Sequence, residues 1–217
     1  MMDISKCPQA LLVVYSDPGA DISPETFNVW FSQEQLATRD ACGGIRYKAI
    51  DGEHPQWLAL YEAGDSPDNL IGAIPSASAP ELRRHSRRAY APLSCCTHPS
   101  TTPADLPSEF LYVVSVGVTP AAEEAFNAWY DGAHTDMFMR VPGWRRVRRY
   151  TLHTYQELGA ERNGQPPYKY LAVHEWGNAE FAETPEYAAL LATEQLAEMT
   201  KALLGIEFRV FELCRSR

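Results

Sequence analysis

The feature that most constrains the fold of this chain is an internal repeat. Three short segments of the first half recur in the second half, in the same order and with similar aromatic and polar residues. The matched pairs are 27–31 with 126–130, 46–47 with 149–150, and 57–62 with 170–175. Since three matches in one order are hard to obtain by chance, we interpret the chain as a tandem duplication of one structural unit.

Each copy has the residue pattern of a β-α-β-β-α-β unit. Short apolar runs rich in β-branched and aromatic residues predict strands. We expect them near 11–15, 45–50, 57–62 and 88–93 in the first copy, and near 110–118, 144–153, 168–176 and 207–214 in the second. Helices are expected to start at Ser23 and Thr119, because a hydroxyl residue followed by proline favours a helix N-terminus. The second helix of each copy is expected near 67–74 and over 179–204.

This element order predicts an α+β fold with two ferredoxin-like units. In the split β-α-β arrangement the helices cover one face of the sheet, so the other face needs a cover, which the second copy can supply. The strand at 168–176 has bulky residues on both faces, as a strand buried on both sides requires. We therefore predict two ferredoxin-like units packed sheet to sheet as an intrachain pseudo-dimeric α+β barrel. The expected domains are 1–98, a proline-rich linker at 99–108, and 109–217.

Composition narrows the classes of partner. The formal net charge of −9 argues against a nucleic-acid surface, which needs clustered cations. The five cysteines have no metal-ligand spacing, and the first apolar run is too short for a signal peptide or a membrane span. We expect a cytoplasmic protein with reduced thiols, acting on a small molecule, with no membrane partner. Whether two chains associate as a homodimer is left open.

His134 is the leading candidate for acid–base chemistry. It follows a helical stripe of apolar residues, and a helical wheel sets it beside Tyr130 and Asn127. Asp131, three residues earlier, is expected to orient its imidazole. The first copy has Gln35 at this position, so the pattern suggests one active and one degenerate copy. The alternative is an ordinary helix histidine.

Two further polar residues are candidates in the second copy. His174 is expected to point into the space between the sheets, either as a catalytic group or as a satisfied core histidine. Arg149, in an arginine-rich segment at 140–149, is expected to bind a carboxylate or to pair with a helix acid. No phosphate loop, zinc spacing or nucleophile elbow is present, so we predict no cofactor and no metal.

Aromatic residues are numerous in the second copy and would suit a flat organic ligand. Most are expected in the core. Those expected to line a pocket, together with Asn127 and Asp131, are Trp129, Tyr130, Phe138, Tyr150 and Tyr170.

The sequence resembles the EthD-like proteins of the dimeric α+β barrel superfamily. The resemblance rests on the segment at 126–130, then His134, the Pro142-Gly143 turn and Arg149-Tyr150. The resemblance extends over essentially the whole chain, once for each copy. The first copy departs from it at Gln35, which replaces the histidine. In the second copy Ala133 replaces the acidic residue that is common just before the histidine. The resemblance implies small-molecule chemistry; related proteins include cofactor-free decarboxylases, cyclases, isomerases, monooxygenases and haem-handling proteins.

Three functions are therefore open. The first is a cofactor-free enzyme that decarboxylates, cyclises or isomerises a polyketide-like or aromatic acid. In it His134 moves the proton, Arg149 holds an anionic group, and Tyr130 and His174 orient the substrate. The second is a haem- or oxygen-dependent monooxygenase of the same fold. The third is a non-catalytic small-molecule-binding module.

Overall fold

The computed structural model describes residues 9–32, 44–62, 64, 66–68, 70–72, 82–161 and 164–214. Gln35 lies outside the described residues, as do residues 69, 73 and 74 of the helix expected near 67–74; the described residues of that segment form turns and no helix. The chain divides into two compact units. The C-terminal unit contains Leu93–Arg149 and Tyr168–Val210, and the N-terminal unit contains the described residues of Pro8–Pro92, Tyr150–Pro167 and Phe211–Arg217. Three of the boundaries, after residues 92, 149 and 210, fall inside long strands, which therefore contribute to both units.

The N-terminal unit contains one antiparallel sheet. Its elements are β1 (Leu11–Asp17), helix α1 (24–32), β2 (Gly44–Ala49), β3 (Trp57–Glu62) and the first part of β4 (Arg84–Thr97). The strand order is β4-β1-β3-β2, with Val13 opposite Leu60 on β3 and opposite Arg88 on β4. The side chains of β1 are all buried, as expected for an apolar central strand.

The C-terminal unit repeats this strand order. Its elements are β5 (Phe110–Val118), α2 (Glu123–Trp129), a π-helical turn (Tyr130–His134), α3 (Thr135–Phe138), β6 (Trp144–Glu157), β7 (Tyr170–Trp176), α4 (Pro185–Leu191), α5 (Glu194–Thr200) and β8 (Leu203–Leu213). The strands run β8-β5-β7-β6, with Tyr112 opposite His174. The α+β class and the predicted strands are confirmed, whereas the origin by duplication remains a prediction.

One predicted helix is wrong in its extent. A single helix was expected over 179–204, but this segment contains a short 3-10 turn followed by α4 and α5. The break comes at Thr193, whose hydroxyl accepts the backbone N–H of Leu196 and so starts a new helix. Thr184 caps α4 in the same way through Tyr187. In the described part of the chain, no helix is long and apolar enough to cross a membrane.

Candidate active site

The C-terminal unit contains a cavity of about 290 Å³. Strands β5 and β8 and helices α2 to α5 supply its walls. Most of the described lining side chains are aliphatic or aromatic, and none is a lysine, arginine, aspartate or glutamate. Those that define its apolar character include Val114, Val116, Phe126, Leu190, Leu196 and Met199. Three of the lining residues are well exposed, namely Leu191, Ile206 and Phe208. The cavity therefore suits an uncharged, largely apolar ligand.

His134 lines this cavity because a π-helical turn carries it there. In a regular α-helix, residues four apart lie on the same face. A π-helical turn contains about one residue more than an α-helical turn, so residues five apart lie on the same face there. The imidazole of His134 consequently stacks on Trp129, five residues earlier, with ring centroids 4.2 Å apart. The rings of Tyr130 and Phe138 meet it edge-on at 4.8 and 4.9 Å. The prediction that His134 lies beside Tyr130 is confirmed.

The imidazole of His134 has no hydrogen-bond partner among the described residues. Its Nδ1 is buried and unpaired. Burial, followed by the positive charge of Arg149, lowers the pKa of His134 to about 3. The side chain is therefore a neutral imidazole at ordinary pH, and its buried Nδ1 makes no hydrogen bond to the described residues. Asp131 does not orient it, contrary to the prediction.

Three tyrosines line the same cavity, and each has a hydrogen-bonded hydroxyl. The Tyr187 hydroxyl donates to the Tyr112 oxygen at 3.3 Å, and the Tyr130 hydroxyl lies 2.8 Å from Nε2 of His174. Burial raises the pKa of all three tyrosines, so each keeps its proton. The other polar groups among the described lining residues are His134, the buried and unpaired indole N–H of Trp129, and the hydroxyl of Thr200.

His174 lies behind Tyr130 on the helix-covered face of the sheet. It contacts Phe138 at a ring separation of 4.2 Å and accepts the indole N–H of Trp144 on Nδ1 at 3.2 Å. The prediction that His174 points into the space between two sheets is therefore wrong. The strand alternation was correct, but the face shared by Tyr170, His174 and Trp176 is the one that the helices cover. Both ring nitrogens of His174 are occupied, so it supports Tyr130 instead of facing the ligand.

Arg149 is also engaged by protein groups. Its guanidinium donates to Asp131 Oδ1 at 2.5 Å and to Asn127 Oδ1 at 2.6 Å, and it lies 4.2 Å from the ring centre of Tyr130. Only 2% of its side chain is exposed. The alternative that Arg149 pairs with a helix acid is what the geometry supports. Asp131 and Asn127 hold this arginine and are not lining residues of the cavity.

The remaining predicted residues divide between the cavity and its surroundings. Trp129, Tyr130 and Phe138 line the cavity, as expected. Tyr170 is absent from the lining and accepts a hydrogen bond from the Asn127 amide at 3.2 Å. Tyr150 is buried in the N-terminal unit. The neighbouring arginines are likewise paired: Arg145 with Asp105, and Arg146 and Arg148 with the buried Glu175.

Tyr112 was missed as a site residue in the sequence analysis, and Tyr187 was expected only as part of a buried helix face. Tyr112 alternates with Val114 and Val116 on β5, so the period of two predicts that they share a face. Helices α4 and α5, which supply Leu190 and Leu196, are too short for a clear apolar stripe. No signal in the sequence indicates that they border a cavity.

The described residues do not fit a metal or a haem. No group of three or more histidines, cysteines or acids within the described ranges could hold a metal ion. His153, on β6, pairs with Asp68 in the N-terminal unit. A haem needs an axial ligand and cations for its carboxylates, whereas the cavity is lined by neutral residues and is small for a ligand of that size.

Comparison with known proteins defines the fold but not the family. No known family model and no curated protein matches the sequence. Solved structures with a similar fold include an anthrone oxidase-like protein, at 11% identity and a TM-score of 0.59 over 100% of this chain and 95% of that one. They also include a ferredoxin-fold protein from Listeria monocytogenes related to antibiotic biosynthesis monooxygenases. It is 10% identical, with a TM-score of 0.51 over 96% of each chain.

The haem-degrading enzyme LmHde from Listeria monocytogenes is a further structure of similar fold. It is 9% identical, with a TM-score of 0.51 over 93% of this chain and 98% of that chain. Identities this low show a shared ferredoxin-like α+β fold and nothing about the reaction. Membership of the EthD-like proteins stays a prediction.

Proposed function

We propose that this protein is a cofactor-independent enzyme that transfers a proton to and from carbon in an uncharged aromatic or polyketide-like compound, by isomerisation or cyclisation. The observation that carries the proposal is the unpaired, buried Nδ1 of His134 beside an apolar cavity. A buried polar atom without a partner is rare, and at a cavity it is a natural contact for a ligand.

The neutral imidazole would act as a base. His134 takes a proton from a carbon next to a carbonyl group, and the electron pair moves to the carbonyl oxygen. The low pKa of His134 reflects the cost of a buried positive charge. An enolate formed next to the imidazolium offsets that cost, because opposite charges favour each other at short range. In an isomerisation the same proton then returns to a different carbon. In a cyclisation the enolate carbon attacks a second carbonyl carbon of the substrate, the π bond of that carbonyl breaks, and its oxygen takes the proton from the imidazolium.

Decarboxylation is less well supported than these two reactions. A carboxylate substrate needs a cation, and Arg149, the residue expected to supply it, is already held by Asp131 and Asn127. Transfer of a carboxylate from water into a cavity lined by neutral groups is costly. The geometry therefore favours an uncharged substrate over the aromatic acid expected from the sequence.

The test uses a simple ketone because the natural substrate is unidentified. 1-Tetralone in D₂O exchanges the hydrogens next to its carbonyl, and proton NMR measures the rate. We expect the protein to accelerate this exchange, and His134→Gln, which introduces the residue type of the first copy, to reduce the acceleration about 100-fold or more. His153→Ala, in the N-terminal unit, is the matched control and should retain the wild-type rate. Full exchange in His134→Gln would refute the proposal.

Oxygen uptake in the same assay separates a second candidate. The names of the similar structures include an anthrone oxidase-like protein and a relative of monooxygenases. A carbanion formed in an apolar cavity can also react with dioxygen. Oxygen consumption that depends on His134 would move the reaction class to cofactor-free oxygenation. Tight binding with no exchange and no oxygen uptake would favour a binding module.

A further inference from the structure

A chain of hydrogen bonds behind the cavity determines where one proton lies. The indole Nε1 of Trp144 can only donate, so Nδ1 of His174 must accept from it at 3.2 Å. An imidazole whose Nδ1 accepts is neutral and carries its proton on Nε2. The tautomer of His174 therefore follows from the geometry of Trp144.

The tautomer of His174 in turn orients Tyr130. Because Nε2 carries the proton, it donates to the Tyr130 oxygen 2.8 Å away, and the hydroxyl hydrogen of Tyr130 is left without an acceptor among the described residues. Tyr130 lines the cavity. Its hydroxyl is therefore a preset donor to a ligand. If His174 had the other tautomer, Tyr130 would donate to it and could only accept from a ligand.

Tyr112 provides a second donor by similar reasoning. Its oxygen accepts the hydroxyl of Tyr187 at 3.3 Å, which leaves its own hydrogen free for the cavity. The ring of Tyr112 lies 6.1 Å from that of His174, the partner of Tyr130. Two hydroxyl donors thus belong to one region of a cavity whose other described walls are mostly apolar.

We infer that Tyr130 and Tyr112 form a binding site for the carbonyl oxygen of an uncharged aromatic ketone, and that Trp144 and His174 are positioning residues that keep Tyr130 a donor. The inference rests on the proposed function and specifies its substrate class. When His134 removes the proton from the adjacent carbon, the electron pair moves to the carbonyl oxygen, which the two hydroxyls stabilise. The proton on His134 later returns to carbon, so atoms and charge balance.

The first experiment measures ligand binding, which does not depend on turnover. Titration calorimetry compares 1-tetralone with tetralin, the same two rings without the carbonyl, and with 1-naphthoate, a charged aromatic. We expect 1-tetralone to bind about 3- to 10-fold more tightly than tetralin, the usual worth of a neutral hydrogen bond. Tyr130→Phe should remove much of this preference and leave tetralin affinity unchanged, and Tyr112→Phe should remove most of the rest. Tyr155→Phe, an exposed tyrosine on β6, is the matched control.

The second experiment observes the proton on His174 directly. Nitrogen-15 NMR distinguishes a protonated ring nitrogen from an unprotonated one. We expect the His174 signals of the wild type to show protonation at Nε2 alone. Trp144→Phe removes the donor, so the two tautomers should mix and the preference for 1-tetralone should fall by a part of its wild-type value. If Trp144→Phe does not fold, the wild-type spectrum still tests the inference.

Several results would overturn the inference. They are protonation of His174 at Nδ1, equal affinity for 1-tetralone and tetralin, no binding of either, or tighter binding of 1-naphthoate. If the wild type binds 1-tetralone more tightly than tetralin but does not accelerate exchange, or if His134→Gln retains full exchange, only the base role of His134 is refuted, so failure of the two proposals can be told apart.

Discussion

Two arginines, one in each copy, have almost the same surroundings. Arg149 donates to Asn127 at 2.6 Å and lies 4.2 Å from the ring centre of Tyr130; Arg46 donates to Asn28 at 2.6 Å and lies 4.3 Å from that of Phe31. The geometry is shared even though the first copy has no histidine at the position of His134. Because the arginine–asparagine interaction is present in both units, with or without the histidine, we interpret it as structural. It joins the first helix of each unit to its second strand.

Substitution of either arginine should therefore lower stability. We expect Arg149→Met to reduce the free energy of unfolding by about 2–4 kcal/mol, since it removes the charged donor from both Asn127 and Asp131. Arg46→Met should cause a loss of similar size. Urea denaturation of both variants measures the effect. A loss below about 0.5 kcal/mol in Arg149→Met, together with a large fall in ketone exchange, would instead favour the catalytic role predicted from the sequence.

The buried histidines make stability depend on pH. The folded-state pKa of His134 is about 3, because of burial and then Arg149, whereas the ordinary value is 6.5. As pH falls below about 6.5 the unfolded chain binds a proton that the folded chain does not, so stability is complete above this pH and decreases down to about pH 3. When the pH is lowered from 7 to 5, the free energy of unfolding of His134→Gln should therefore fall by about 1–2 kcal/mol less than that of the wild type. Urea titrations at both pH values check this, and equal losses would contradict it.

At the scale of elements, the π-helical turn is what separates this site from an ordinary helix. Gly132, within the turn, has open space around the position of a Cβ atom. Gly132→Ala should consequently preserve the turn and raise the free energy of unfolding by about 0.5–1 kcal/mol, because alanine restricts the unfolded chain.

Deletion of Gly132 tests the turn itself. Removal of one residue leaves His134 four residues after Trp129, the spacing that a regular α-helix places on one face. We expect the deletion variant to fold with a regular α-helix in place of the π-turn, to keep His134 beside Trp129 and to retain most of the ketone exchange. Circular dichroism and the D₂O assay measure the two properties, with Gly132→Ala as the control that keeps chain length. Loss of exchange as complete as in His134→Gln would show that the π-turn itself is needed.

Much of this architecture could be predicted from local patterns. The strands of both copies, the aromatic stripe of α2 and the prominence of His134 follow from periodicity, which depends on neighbours in the sequence. The π-turn could not be predicted, because the helical wheel assumes 3.6 residues per turn. The pairing of Asp131 with Arg149 depends on how β6 approaches α2, and the role of Tyr112 depends on a cavity whose walls come from distant segments.

At the scale of the whole molecule, the N-terminal and C-terminal units share a strand order but differ in their chemistry. Each has the order of a ferredoxin-like sheet and an arginine that ties the first helix to the second strand. The described cavity, His134 and the tyrosine donors all belong to the C-terminal unit. We therefore expect that ligand binding involves the second copy alone.

Hydrogen exchange of the backbone tests this division of roles. A ligand that binds only the folded cavity slows local opening by a factor of about 1 + [L]/Kd, so a concentration of ten times Kd should slow exchange about tenfold where opening releases the ligand. With 1-tetralone we expect this protection in peptides from β5, the π-turn and helices α4 and α5. Peptides from β1, α1 and β3 should exchange at unchanged rates.

The short helices α4 and α5, which are capped by single threonines, should show the largest change, because segments with few buried contacts open most often. Equal protection of α1 would mean that the first copy also binds ligand, and the assignment of one working site to the second copy would then be wrong.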